Sequence, residues 1–187
     1  MKLRYWVLIA ILAGFGGCTY GFLSGLRTDV YHGRVVDEET GLPLAGTVVA
    51  VIWYKSSYLA PEGGPKEFLA AQETATKADG TFSLRVSSGL DWDPTTVRVD
   101  PPEISIFKPG YEPNTPAWLV RGGFNTYRPL VPALVAGITL KLRKLKSKEE
   151  IEMFTSYGPV GVPSNAIPKF IAVVNEQRKL AGFEPLL

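Results

Sequence analysis

The chain has 187 residues, 45% of them hydrophobic and 20% charged, a balance that excludes both a disordered segment and a multi-span membrane protein. Its 19 Gly and 15 Pro exceed ordinary usage and point to many turns and few long helices. The formal net charge is +2, and a single His with a single Cys excludes most zinc chemistry and most cofactor-free hydrolase chemistry.

Lys2 and Arg4 open the chain as a positive region, Tyr5 to Ala13 follow as a short apolar stretch, and the small residues Gly16 and Gly17 precede Cys18. This is the layout of an export signal. The box Phe15-Gly16-Gly17-Cys18 resembles that of a bacterial lipoprotein, with Phe15 standing where Leu is usual. The resemblance implies a signal peptide over residues 1–17, acylation (palmitate) of Cys18, and a lipidated tether over residues 18–28. A single uncleaved transmembrane anchor is the alternative, because 22 uncharged positions run from Tyr5 to Leu26 before Arg27. Glycines at 14, 16, 17, 21 and 25 weaken that helix by about 1 kcal/mol each. Simple secretion is the third reading. All three place the folded part in the cell envelope or beyond it, facing the periplasm or the cell exterior. Removing residues 1–17 takes away two basic residues and leaves 18 basic against 18 acidic, which argues against a nucleic-acid partner. A lone exported Cys has no internal disulfide partner, and acylation gives it a use.

Strands are expected in sequence from here on. Asp29–Asp37 is rich in β-branched and aromatic residues and ends in the turn cluster Glu38–Pro43. Thr47–Lys55 is a nearly continuous apolar run and is expected to be a central strand. Ala71–Lys77 leads through Asp79-Gly80 into Phe82–Val86, a pattern that predicts a hairpin. Further strands are expected at Thr96–Asp100, Glu103–Lys108 and Gly137–Leu145. In the last, Ile138, Leu140 and Leu142 alternate with Thr139, Lys141 and Arg143, so the first set faces the core. About seven short strands with frequent turns predict a mainly β, seven-stranded antiparallel sandwich. The period then changes. Ser147 with Glu150 is a capping-box pattern that opens a short helix through about Ser156. A second helix is expected from Asn165 to Ala181, stopped by Gly182, with Ile167, Phe170, Ile171 and Val174 as its apolar stripe. That stripe is expected to cover an edge or face of the sandwich.

Three segments carry a family resemblance: GRVVDEETGLPLAG over residues 33–46, TKADGTFSL over 76–84, and FKPGY over 107–111. In order and character they resemble the carboxypeptidase regulatory-like domain, over about residues 29–145. The resemblance implies a transthyretin/Ig-like sandwich of seven strands, with residues 146–187 as a helical C-terminal extension. It also implies no catalysis, since in carboxypeptidases this domain accompanies the catalytic domain and lacks its zinc site. Gly41-Leu42-Pro43 would close the first hairpin, Asp79-Gly80 the second, and Gly110 would permit a turn. The departures are a longer loop at Ser56–Phe68, an insertion at Glu112–Ala133, and the extension itself.

Catalytic residues are sought and none is assigned, so the chain is read as not an enzyme. His32 sits inside a strand pattern, no G-x-S-x-G sequence accompanies it, and it is read as a structural residue. Among transthyretin-like sandwiches, hydroxyisourate hydrolase uses several His residues and a Tyr-Arg-Gly-Ser terminus, whereas this chain ends Glu184-Pro185-Leu186-Leu187. Asp91, Asp93, Asp100 and Glu103 lack EF-hand spacing and are read as turn formers, with no metal and no cofactor assigned. Aromatic residues fall in expected loops at Trp92, Trp118, Tyr58, Phe68, Phe124 and Tyr127, and of these Trp92, Trp118, Tyr58, Phe124 and Tyr127 are the candidate ligand or partner contacts. Their competing reading is a satellite core under folded-back loops. The basic run Lys141–Lys148 is read as a solvated face, with contact to anionic lipid as the weaker alternative. The expectation for the whole is a non-enzymatic, membrane-anchored envelope lipoprotein acting as a scaffold or protein-interaction module, with an envelope protein as partner. A carbohydrate-binding module using the loop aromatics, with a polysaccharide ligand, is the alternative.

Overall fold

A computed structural model describes residues 28–57, 59, 65–87, 97–100, 102–113, 130–155, 158–159 and 161–186. The protein is mainly β. Its described strands are β1 (Thr28–Asp37), β2 (Val48–Ser57), β3 (Glu67–Ala75), β4 (Thr81–Ser87), β5 (Val97–Val99), β6 (Glu103–Phe107) and β7 (Ile138–Leu142). The helices are α1 (Leu130–Ala136), α2 (Lys148–Met153) and α3 (Pro168–Ala181), with a 3-10 turn at Ser164–Ala166.

The strands form two sheets. One has the order β4-β1-β7, and in the other β2 pairs with β3 along one edge and with β5 and β6 along the other. The pairing of β1 with β4 is antiparallel, as are all three pairings of β2. The expectation of an antiparallel fold throughout is corrected at one place, since β7 runs parallel to β1 from Gly33↔Ile138 to Asp37↔Leu142. A parallel neighbour cannot be joined by a tight turn, and β1 and β7 are separated by residues 38–137, which include the whole second sheet and α1.

The two expected hairpins are also corrected. β1 and β4 belong to one sheet, β2 and β3 to the other, so both turns carry the chain from one sheet to the next. The first begins as a tight reversal, with the Asp37 N–H donating to Leu42 O at 2.9 Å and a single bridge between Val36 and Pro43. The chain then departs for the second sheet. The two crossings are stitched together by buried hydroxyls. The Thr76 Oγ1 donates to Leu44 O at 2.5 Å and accepts from the Thr47 N–H at 2.9 Å, while the Thr47 Oγ1 donates to the same Leu44 carbonyl at 3.1 Å. Gly80 closes the second crossing with φ +77°, and an added Cβ there would come within 2.5 Å of Val35 O. Only glycine tolerates that backbone at no steric cost.

One hydrophobic cluster is shared by the two sheets. Tyr31, Val35, Phe82, Val86, Leu140 and Leu142 come from the first, and Val49, Val51, Trp53, Ile104 and Ile106 from the second. The alternation read from β7 holds, with Leu140 and Leu142 buried and Thr139 and Lys141 exposed. β2 is buried along nearly its whole length because both its faces are covered. Its other face, with Val48 and Ala50, joins Phe107 from β6 in a second cluster under Phe170, Val173 and Val174 of α3. The apolar stripe of the last helix thus packs on the four-stranded sheet, Phe107 meeting Phe170 edge to face at 5.6 Å.

The helix boundaries follow their caps. Ser147 caps α2, its Oγ accepting from the Glu150 N–H at 3.2 Å. The last helix starts later than Asn165, because Pro168 occupies its first turn and disfavours helical backbone in the residue before it. Its free N–H groups are capped from a distance: the Glu73 carboxylate on β3 accepts from Lys169 at 2.7 Å and from Phe170 at 3.0 Å. Gly182 ends it in the left-handed region, φ 83°. α1 lies across the expected insertion and had no sequence signal, since Pro132 interrupts its apolar run; Pro is tolerated there because it falls in the first turn. β3 also begins four residues earlier than expected, as Phe68 and Glu67 pair with Tyr54 and Lys55 beyond a bulge at Leu69 of β3.

Candidate functional site

The residues singled out in the sequence, Cys18, Tyr58, Trp92, Trp118, Phe124 and Tyr127, lie outside the described residues, as do Asp91 and Asp93. The roots of their loops are described. β2 ends at Ser57, and Ser57 pairs with Val97, the first residue of β5. The segment carrying Tyr58 therefore leaves the four-stranded sheet beside the point where the segment carrying Trp92 rejoins it. The segment with Trp118, Phe124 and Tyr127 is rooted elsewhere, between the turn after β6 and the start of α1.

A polar group lies at the strand ends where these two segments depart. The Ser56 hydroxyl donates to Asp100 Oδ2 at 2.9 Å, and Lys66 Nζ stands 3.6 Å from Asp100 and 3.7 Å from Glu103. The same ammonium lies 6.0 Å from the Tyr54 ring centre. Burial pushes the Glu103 carboxyl above the usual range, and Lys66 acts against that push. Two of the four acidic residues weighed as oxygen ligands, Asp100 and Glu103, are thus engaged by a lysine, and Asp100 by a hydroxyl as well. Among the described residues no group of three or more His, Cys, Asp or Glu could hold a metal ion.

His32 projects from β1 on the exposed side of the three-stranded sheet, its ring against Gly137, where an added Cβ would meet Nε2 at 2.7 Å. The basic run after β7 is largely paired. Arg143 donates to Glu112 at 2.7 Å and to Glu150 at 2.9 Å, Lys146 meets Glu39 at 2.5 Å, and Lys148 meets Glu152 at 3.5 Å. These carboxylates hold the Arg143 guanidinium above its already high ordinary range and raise Lys146 as well. Lys141 is the member of the run that stays on the open sheet face.

Sequence reasoning missed one polar side chain with a structural role at the heart of the extension. Gln177 is fully buried, and a lone glutamine in an amphipathic helix gives no periodic signal of that. No helix among the described residues is long and apolar enough to cross a membrane.

No family model matches the sequence, and no curated protein matches it. Among solved structures, a 9R-lipoxygenase from Cyanothece PCC8801 aligns with 48% of this chain and 13% of its own at 14% identity and a TM-score of 0.26, a likeness too slight to argue from.

Proposed function

We propose that this chain is a non-enzymatic, membrane-anchored envelope lipoprotein whose β-sandwich, of the carboxypeptidase regulatory-like and transthyretin-like type, is a scaffold or protein-interaction module. The observation that carries this reading is the start of β1 at Thr28, ten positions beyond Cys18. An acylated Cys18 would keep the first strand within about 33 Å of the bilayer even with the tether fully extended. Two acyl chains suffice for stable anchoring, and one alone is marginal. The sandwich reading is supported by the cluster that side chains of both sheets share. The interaction role is supported by the use made of polar side chains: Asp100 and Glu103 are engaged by Lys66, and Glu73 by the last helix. The candidate partner contacts are the aromatic residues Tyr58, Trp92, Trp118, Phe124 and Tyr127. The folded part faces the periplasm or the cell exterior.

A second reading, a carbohydrate-binding module, draws on the Ser57↔Val97 pairing, which roots the Tyr58 and Trp92 segments side by side. Aromatic side chains on such segments would suit the stacking of sugar rings.

Metabolic labelling with an alkyne palmitate tests the anchor: label is expected on the native chain and lost in Cys18→Ser. Crosslinking in intact cells, followed by capture and mass spectrometry, tests the scaffold role, with a stoichiometric envelope protein as the expected result. An empty capture together with a saturable change in Trp fluorescence on titrating envelope glycans would transfer the function to the second reading, and Trp92→Ala would abolish that change.

A further inference from the structure

The two sheets differ in what covers their outer faces. That of the four-stranded sheet is packed under α3. That of the three-stranded sheet carries no described element, and its composition follows from the register. Arg34 stands opposite Thr81 and Thr139, His32 opposite Ser83, Val30 opposite Arg85, and Val36 opposite Lys141. Paired residues point to the same side of a sheet, so Arg34, Arg85, Lys141 and His32 share one face with hydroxyl side chains between them. All four are exposed. No strand of this sheet places a carboxylate on that face among the described side chains. Asp79, at the turn before β4, directs its carboxylate to the Thr81 N–H at 3.0 Å and the Thr81 hydroxyl at 2.7 Å. Glu38 and Glu39 follow the far end of β1, where Lys146 binds Glu39.

Three cations, Arg34, Arg85 and Lys141, therefore share one face of a chain whose residues 18–187 balance 18 basic against 18 acidic. The central strand of that face is β1, the strand that emerges from the N-terminal segment. The geometry points to the outer face of the β4-β1-β7 sheet as a docking surface for the anionic phospholipid headgroups of the membrane that tethers the chain. This rests on the anchoring proposed above. The register from Val30 to Val36 spans about 20 Å, and three strands about 10 Å across, so the basic side chains can meet a flat anionic surface together. Attraction of this kind acts within a Debye length, about 8–10 Å at physiological ionic strength, and a tether of about ten residues keeps the face close enough to the surface to enter that range. Docked in this way, the sheet lies on the bilayer while α3 and its surroundings face away from it, available to a partner.

The test uses the full chain reconstituted into vesicles of phosphatidylcholine alone or with one third phosphatidylglycerol. Acylation of Lys141 by a water-soluble amine reagent is followed by mass spectrometry, with the exposed Lys179 on α3 as the internal reference. Lys141 is expected to react about fivefold or more slowly, relative to Lys179, on the anionic vesicles, with the difference erased by 0.5 M salt. Arg34→Gln combined with Arg85→Gln is expected to remove the protection. Arg85→Gln alone, which leaves the Arg34 bond to Asp79 O intact, is expected to weaken it. Equal Lys141 rates on the two vesicles, or protection that survives the double substitution, would overturn the proposal. Flotation separates it from the anchoring: a chain that fails to float with phosphatidylcholine vesicles yet floats with anionic ones in a salt-sensitive way loses the anchor and keeps the docking face.

Discussion

The side chain of Gln177 on the last helix ties that helix to the turn after β6, accepting the Gly110 N–H at 2.7 Å while its own amide donates to Ile151 O at 3.0 Å. One fully buried side chain thus joins the second sheet, α2 and α3, and it does so with both of its polar atoms bonded. A half-satisfied amide at such a site would cost more than an apolar residue.

Replacing Gln177 by Leu preserves volume and strands the two backbone groups it serves. The expected loss is about 1–3 kcal/mol, read as a lower urea midpoint at unchanged slope. Hydrogen exchange is expected to speed up at the Gly110 amide above all. An unchanged midpoint would mean that water takes over both bonds.

Asp37 and Tyr111 link the end of β1 to the turn after β6, with the Tyr111 hydroxyl donating to Asp37 Oδ2 at 3.0 Å. The Thr40 N–H, then the hydroxyls of Tyr111 and Thr40 and the Glu39 N–H, hold the Asp37 carboxyl below its usual range against the opposing effect of burial. Its contribution to stability is therefore present above the ordinary carboxyl range and is lost as pH falls through the lowered folded value. Tyr111→Phe is expected to move the Asp37 titration, followed by carboxyl NMR, toward ordinary values and to shift acid unfolding to higher pH. Tyr111 has the opposite sense. Burial first, and then the Asp37 carboxylate, push its phenol up, so its contribution holds below about pH 10 and falls as pH rises beyond that. Tyr111→Phe is expected to flatten that alkaline decline.

Gly80 and Gly41 share a left-handed backbone but not their surroundings. An added Cβ at Gly80 meets Val35 O at 2.5 Å, whereas one at Gly41 meets nothing within 4 Å. Gly41→Ala is expected to cost about 1–2 kcal/mol from backbone strain alone. Gly80→Ala is expected to cost clearly more, because the Val35 N–H also donates to Gly80 O at 2.9 Å and the crossing has no room to shift. Thermal midpoints of the two variants, compared in one buffer, check the order.

Much of the architecture was legible wherever one residue's neighbours along the chain decide its environment. The apolar run of β2 announced a central strand, and the alternation at Leu140 and Leu142 named the inward side of β7. Ser147 with Glu150 marked the start of α2, and Gly182 the end of α3. The sequence also supplied every candidate contact in the loops and the candidate acylation site at Cys18.

Tertiary structure alone decided which sheet each strand joins. Asp79-Gly80 signals a reversal, but a reversal reads the same whether its flanking strands pair with each other or pass into different layers. The buried hydroxyls of Thr47 and Thr76 and the shared core settle that choice, and they meet across 29 positions of chain. The parallel pairing of β7 with β1, the reach of Glu73 to the start of α3, and the bonds of Gln177 are of the same kind. So is the basic face, whose four side chains come from three strands far apart in sequence. Periodicity reports which way a side chain points; what it meets there depends on long-range pairing, which no local pattern encodes.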